Sequence, residues 1–335
     1  MNGMKRSRRS VVVVAGVFAA AVVAGLWTAA STTGAQSAEQ LYLTVLDEDG
    51  QPVVDLRPSD VQVTEDGVRR EVLYLSRAGG PADITLLVDT SAAMVPATTH
   101  LRPALNAFVD ALNGQARMTL VTFGDLPVRV VPPTTELTRV REAIDDLFPT
   151  EDAVPRFQDA LMGAAIDLRD RQPSRPALVV VASDQLASTF AEVSPASTTR
   201  SVDDVIGVMQ AVGAPVHIIA LRSRESFDVI TRGASDRNAV FRSPLDNALR
   251  TGMSAQQTRD WLQLFETVSD RTGGRLTNLY ASAGLDEPLL DLANEILAQY
   301  ILTYHSPPND EGTDEREIGI GVARDDVSVR VTLVR

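Results

Sequence analysis

The 335-residue chain contains no cysteine. That excludes disulfides, Cys-ligated zinc, iron–sulfur clusters and thiol catalysis together. Histidine occurs only as His100, His217 and His305, with no His-x-x-x-His pair to hold zinc. Lys5 is the only lysine, so every other cation is an arginine, a bias read as genomic composition. There is no Walker loop and no Gly-x-Ser-x-Gly nucleophile elbow. Gly319-Ile320-Gly321 lacks a third glycine and sits in an alternating strand pattern, so it is no dinucleotide fingerprint.

What is present is ordinary globular material, 44% hydrophobic and 22% charged. The length suggests two or three units at roughly 150 residues per domain. The net charge is −13. Residues 1–35 hold Lys5, Arg6, Arg8 and Arg9 and no acid. Without them 27 basic residues face 44 acidic ones, about −17. Such a body repels nucleic acid and anionic lipid.

Basic residues 5–9 precede Val11–Trp27, seventeen residues without a charge. Small residues follow, with Thr33-Gly34-Ala35 as a cleavage site. This order matches a secretory signal peptide. Ser7-Arg8-Arg9-Ser10 also resembles a twin-arginine signal, and both routes stay open. Retained to Ala30, the apolar stretch is long enough for a membrane anchor. Either way the body is expected outside the cytoplasm, in the periplasm, outside the cell or tethered to the outer side of the inner membrane.

Residues 39–77 read as short strands separated by the turns Asp47-Glu48-Asp49-Gly50 and Glu65-Asp66-Gly67. The unit is too short to bury a core alone. Ala78-Gly79-Gly80-Pro81 reads as a connection. Over 82–305 the pattern changes. Continuous apolar runs at Ile84–Val88, Leu178–Ala182 and Val216–Leu221 suit strands covered on both faces, and helices are expected between them. Tyr300–Tyr304 is placed as the last strand of this region. Residues 306–335 alternate again around Asp325-Asp326, the pattern of a hairpin, expected to pack with 39–77. The predicted fold is α/β: a doubly wound, mostly parallel sheet with a small flanking β layer from both chain ends.

Asp89-Thr90-Ser91 and Ser183-Asp184 fall where two central strands end. In open parallel sheets ligands bind beyond the strand C-termini, at the topological switch point. Two acids and a hydroxyl there are oxygen ligands for a hard cation such as Mg²⁺. At these residues the chain resembles the von Willebrand factor type A domain, in the bacterial subgroup that carries a short leading β segment. Val45-Leu46-Asp47-Glu48-Asp49-Gly50-Gln51-Pro52-Val53 matches the leading segment, and Asp83-Ile84-Thr85-Leu86-Leu87-Val88-Asp89-Thr90-Ser91 the first domain strand. Thr272-Gly273-Gly274-Arg275 and Gln299–Tyr304 match the closing elements.

The resemblance implies a metal-ion-dependent adhesion site, with Asp89, Ser91 and Asp184 as ligands of one divalent cation, Mg²⁺. It also implies a protein partner that supplies an acidic side chain. The site is degenerate, because Ala93 and Pro155 stand where the family has a second Ser and a Thr. The expected function is thus an exported, non-enzymatic interaction module that binds protein through the strand C-terminal face. No nucleic acid is expected as a partner, and membrane only through an uncleaved leader. Two other readings are a metal-free structural envelope component and a metal-assisted hydrolase with His100 as base. On the bland reading, Asp89 and Asp184 only cap nearby backbone N–H groups. His217 reads as a core residue, Trp261 and Phe265 as core-facing, and the loops at 185–200 and 223–258 as a rim around the Asp89 face.

Overall fold

The computed structural model describes residues 37–112, 114–124, 126–150, 153, 155–184, 202–222, 255–307 and 316–333. The leader at 1–35, the loop 185–200 and residues 223–254 of the second loop lie outside the described residues. Residues 255–258, read as loop, begin a helix instead. No helix among the described residues is long and apolar enough to cross a membrane. The chain divides into two compact units, one built from residues 1–79 and 295–335 and one from 80–294.

The 80–294 unit holds a six-stranded sheet. Its strands are β5 (Ala82–Val88), β6 (Ala116–Thr122), β7 (Val128–Thr134), β8 (Pro176–Ser183), β9 (Val216–Leu221) and β10 (Leu276–Leu279). Their spatial order is β10-β9-β8-β5-β6-β7, parallel except for the antiparallel edge strand β7. Every residue of β5, β8 and β9 is buried, which is why these segments are dominated by apolar residues. Helices α1 (Thr98–Ala111), α2 (Leu137–Asp145), α3 (Phe157–Arg171), α4 (Val202–Val212), α5 (Ala255–Thr272) and α6 (Asp286–Leu297) alternate with the strands. Phe157 of α3 packs edge-on against Phe265 of α5, ring centroids 5.1 Å apart, in a core with Leu87, Val180 and Ile218. Phe265 is therefore core-facing as expected, whereas the Trp261 side chain lies outside the described residues.

Helix α5 stops at Gly273, whose φ of +78° suits glycine. Gly274 then runs against β9, where an added Cβ would lie 1.9 Å from the Val216 carbonyl oxygen. The chain leaves β5 toward β6 on one side and later returns to β8 on the other. The switch point thus lies between the C-termini of β5 and β8.

The other unit is all β. One sheet has the order β13-β1-β11-β4, from β1 (Ser37–Leu46), β4 (Val72–Arg77), β11 (Tyr300–Ser306) and β13 (Ser328–Leu333). The second has the order β12-β2-β3, from β2 (Val61–Glu65), β3 (Val68–Arg70) and β12 (Ile318–Val322). Asp66 and Gly67, both with positive φ, turn β2 into β3. Leu41, Leu43, Tyr300, Leu302 and Val331 of the first sheet share one core with Val63 and Ile320 of the second.

Two expectations are corrected here. The region 306–335 is not a hairpin: β12 pairs with β2 and β13 with β1, both antiparallel. Each strand alternates toward the same core from a different sheet, so alternation alone could not tell the two arrangements apart. Residues 300–305 do not close the α/β sheet; β11 lies between β1 and β4. Its buried residues alternate, unlike those of β5, β8 and β9, as a strand with one covered face requires. The α/β unit accordingly ends at Asn294 instead of His305.

Candidate functional site

The end of β5 carries Asp89, wholly buried at 0% exposure. Its Oδ1 accepts the Ser91 backbone N–H at 2.8 Å, and its Oδ2 accepts the Ser183 N–H at 3.2 Å. Its own N–H donates to the Val181 carbonyl at 2.9 Å. Asp89 therefore ties the C-termini of β5 and β8 together across the switch point. Burial pushes its carboxyl up to about 6, against the pull of those backbone donors. The Ser91 hydroxyl is buried near this carboxylate but makes no hydrogen bond of ordinary geometry.

Asp184 follows β8 and is 1% exposed. Its Oδ2 lies 3.8 Å from Nε of Arg222, a residue 8% exposed that follows β9. The register explains the pairing. Ser183 sits opposite Leu221, so the next residues, Asp184 and Arg222, emerge side by side. The Arg222 N–H donates to the Leu279 carbonyl at 2.7 Å, and its side chain donates to the Tyr280 hydroxyl. Burial lowers the Arg222 pKa from its ordinary value, opposed by Asp184 and Tyr280.

Thr90 joins this end of the sheet to the next loops. Its hydroxyl accepts the Gly124 N–H at 3.1 Å and its carbonyl the Thr150 N–H at 2.8 Å. A Cβ on Gly124 would lie 2.4 Å from the Thr90 carbonyl oxygen, so glycine is needed for this approach. Several apolar side chains are exposed at the same end of the unit: Val95 after β5, Leu126 after β6 and Tyr280 after β10. Phe148 joins them, 69% exposed and two residues before Thr150. The Arg102 guanidinium stacks 4.2 Å from its ring centroid while Nε donates to the Leu147 carbonyl at 2.9 Å.

The structure thus gathers Asp89, Ser91 and Asp184 at one switch point, as the sequence placed them, but closed to solvent. Whether the three suit a divalent cation is decided by their neighbours. Ala93 and Pro155 bring no side-chain oxygen, and a guanidinium already faces Asp184. No three His, Cys, Asp or Glu side chains among the described residues cluster as metal ligands. This set does not fit Mg²⁺, which takes six oxygens in near-octahedral order.

His100 does not serve the carboxylates; it is exposed and meets the Ser282 hydroxyl at 3.0 Å. His217 is buried within β9, as a core residue. Arg222 escaped the sequence reading altogether. The signal was its place directly after the third fully buried strand, in line with Asp184.

Residues 84–188 match the family model for the von Willebrand factor type A domain. This stretch of the chain is a von Willebrand factor type A domain. No curated protein sequence matches the chain. Among solved structures, one similar chain is a von Willebrand factor type A protein from Catenulispora acidiphila, 9% identical over 90% of this chain and 73% of that one, with a TM-score of 0.43. An aerotolerance-related membrane protein from Bacteroides fragilis is 11% identical over 64% of this chain and 98% of that one, TM-score 0.41. The pilus adhesin SpaC from Lactobacillus rhamnosus GG is 10% identical over 82% and 43%, TM-score 0.44. At these scores the likenesses carry no functional argument. Over this stretch the chain departs from the adhesion-site pattern at Ala93 and Pro155.

Proposed function

We propose that the chain is an exported, non-enzymatic interaction module that docks a protein partner at the strand C-terminal end of its type A domain without a bridging cation. The observation that carries this reading is the closed set of Asp89, Ser91 and Asp184 with Arg222 against Asp184. Such a set leaves no open carboxylate to share an ion with a partner or to activate a water. Asp89 then acts as a brace between two strand ends. Docking falls to what is exposed around it, and Tyr280 and Phe148 are the side chain types that anchor interfaces. Export is supported by the basic and then apolar order of residues 5–27.

The test is a cross-linking pull-down from the envelope fraction with the full chain and a Tyr280→Ser/Phe148→Ser variant. A partner held equally well with and without chelator, and lost in the variant, is expected. Loss with chelator would overturn cation-free docking. Absence of any specific partner would leave a structural envelope role. Metal-dependent turnover of phosphoester or peptide substrates that disappears in Asp184→Ala would make the protein an enzyme.

A further inference from the structure

We infer that Arg222 is a built-in cation: from the end of β9 its guanidinium supplies the positive charge that a divalent ion would otherwise bring to Asp184, so the switch point has one state whatever the cation concentration. This deepens the reading above, explaining how docking escapes cation control, but its test needs no partner.

Four observations converge. The β8–β9 register sets residues 184 and 222 side by side, so the pairing follows from the sheet and not from a chance rotamer. Both side chains are sealed, with Nε 3.8 Å from Oδ2, where salt screens a charge pair weakly. Within the guanidinium, Nε and Nη1 make no hydrogen bond, so its charge leans on the Asp184 carboxylate and the Tyr280 oxygen. Finally, Ala93 and Pro155 stand where the resemblance implies two further oxygen ligands, and neither side chain has an oxygen.

These departures fit together physically. Two missing oxygens weaken any hold on a divalent ion. A buried carboxylate left without a counter-charge would be strongly disfavoured. An arginine stays protonated and, unlike an ion, cannot be chelated or diluted away.

The experiment uses the purified full chain and reads its thermal midpoint in EDTA and in millimolar Mg²⁺ or Mn²⁺. The wild-type midpoint is expected to stay unchanged. Arg222→Ala should melt lower in EDTA and regain a few degrees when either ion is added, as ligand linkage requires. Arg222→Ala/Ala93→Ser/Pro155→Thr should regain more and bind Mn²⁺ saturably by electron paramagnetic resonance. Arg222→Met, which keeps much of the aliphatic stem, replaces Arg222→Ala should the latter not fold.

A wild-type midpoint that rises saturably with Mg²⁺, with the rise lost in Asp184→Asn, overturns the inference. So does an Arg222 variant that is destabilised yet gains nothing from either ion, or one as stable in EDTA as the wild type. A failed partner pull-down leaves all of these results standing.

Discussion

The two units bury carboxylates in opposite ways. In the β unit Glu65 is 0% exposed and fully engaged: Arg70 Nε lies 2.9 Å from Oε2, Arg316 Nη1 2.7 Å from Oε1, and the Ser306 hydroxyl donates at 2.8 Å. Two arginines and a hydroxyl thus converge from β3, β11 and the lead into β12. In the α/β unit Asp89 is held by backbone donors, with no cationic side chain against it among the described residues, and Asp184 meets Arg222 at 3.8 Å without an N–H···O bond between them. Glu65 holds elements together by direct, short contacts. Arg222 lies farther from Asp184 than either arginine lies from Glu65.

Removing Glu65 should have the largest effect. Glu65→Ala leaves two guanidinium groups facing a closed site and is expected to destabilise the β unit by about 3–5 kcal/mol, read from its urea midpoint. A loss below 1 kcal/mol would erase the contrast. The pH response of Asp89 comes next. Its folded pKa of about 6 stands above the ordinary 3.8, so between those values the folded chain holds a proton that the unfolded chain has released. The group therefore weakens the fold most above pH 6. Its contribution should improve by about 3 kcal/mol as pH falls from 7 toward 4. Comparing the pH slopes of wild type and Asp89→Asn by chemical denaturation isolates it; equal slopes would contradict the raised value. The smallest effect belongs to Asp184→Asn, about 2 kcal/mol, because Tyr280 still accepts from Arg222 and the lost contact was long. A loss as large as that of Glu65→Ala would make the two sites alike.

Much of the α/β unit was legible because burial on both faces leaves a plain mark. Leu178–Ala182 is apolar without a break, Ile84–Val88 and Val216–Leu221 are interrupted only by Thr85 and His217, and helices such as α3 at Phe157–Arg171 lie between the strands as expected. The β unit was legible as strands but not as partners, since alternation states which face is inward and not which sheet a strand joins. Glu65 shows a partial reading. It stood in an apparent turn, yet Val61, Val63 and Glu65 share one inward face of β2. The site's acids were legible from strand ends, while Arg222 was not. A single arginine after a strand gains its meaning only once β9 is known to lie beside β8 in register.

The interleaving of β1 between β11 and β13 has a consequence for how the chain matures. Tyr42 pairs with Ile301 on one side and with Thr332 on the other, so its strand stays half-made until some 260–290 residues more have been synthesised. The α/β unit is contiguous from 80 to 294, so its chain is complete before the last forty residues are made. The β unit closes last, and its long-range pairings leave it the part more exposed to mispairing along open strand edges.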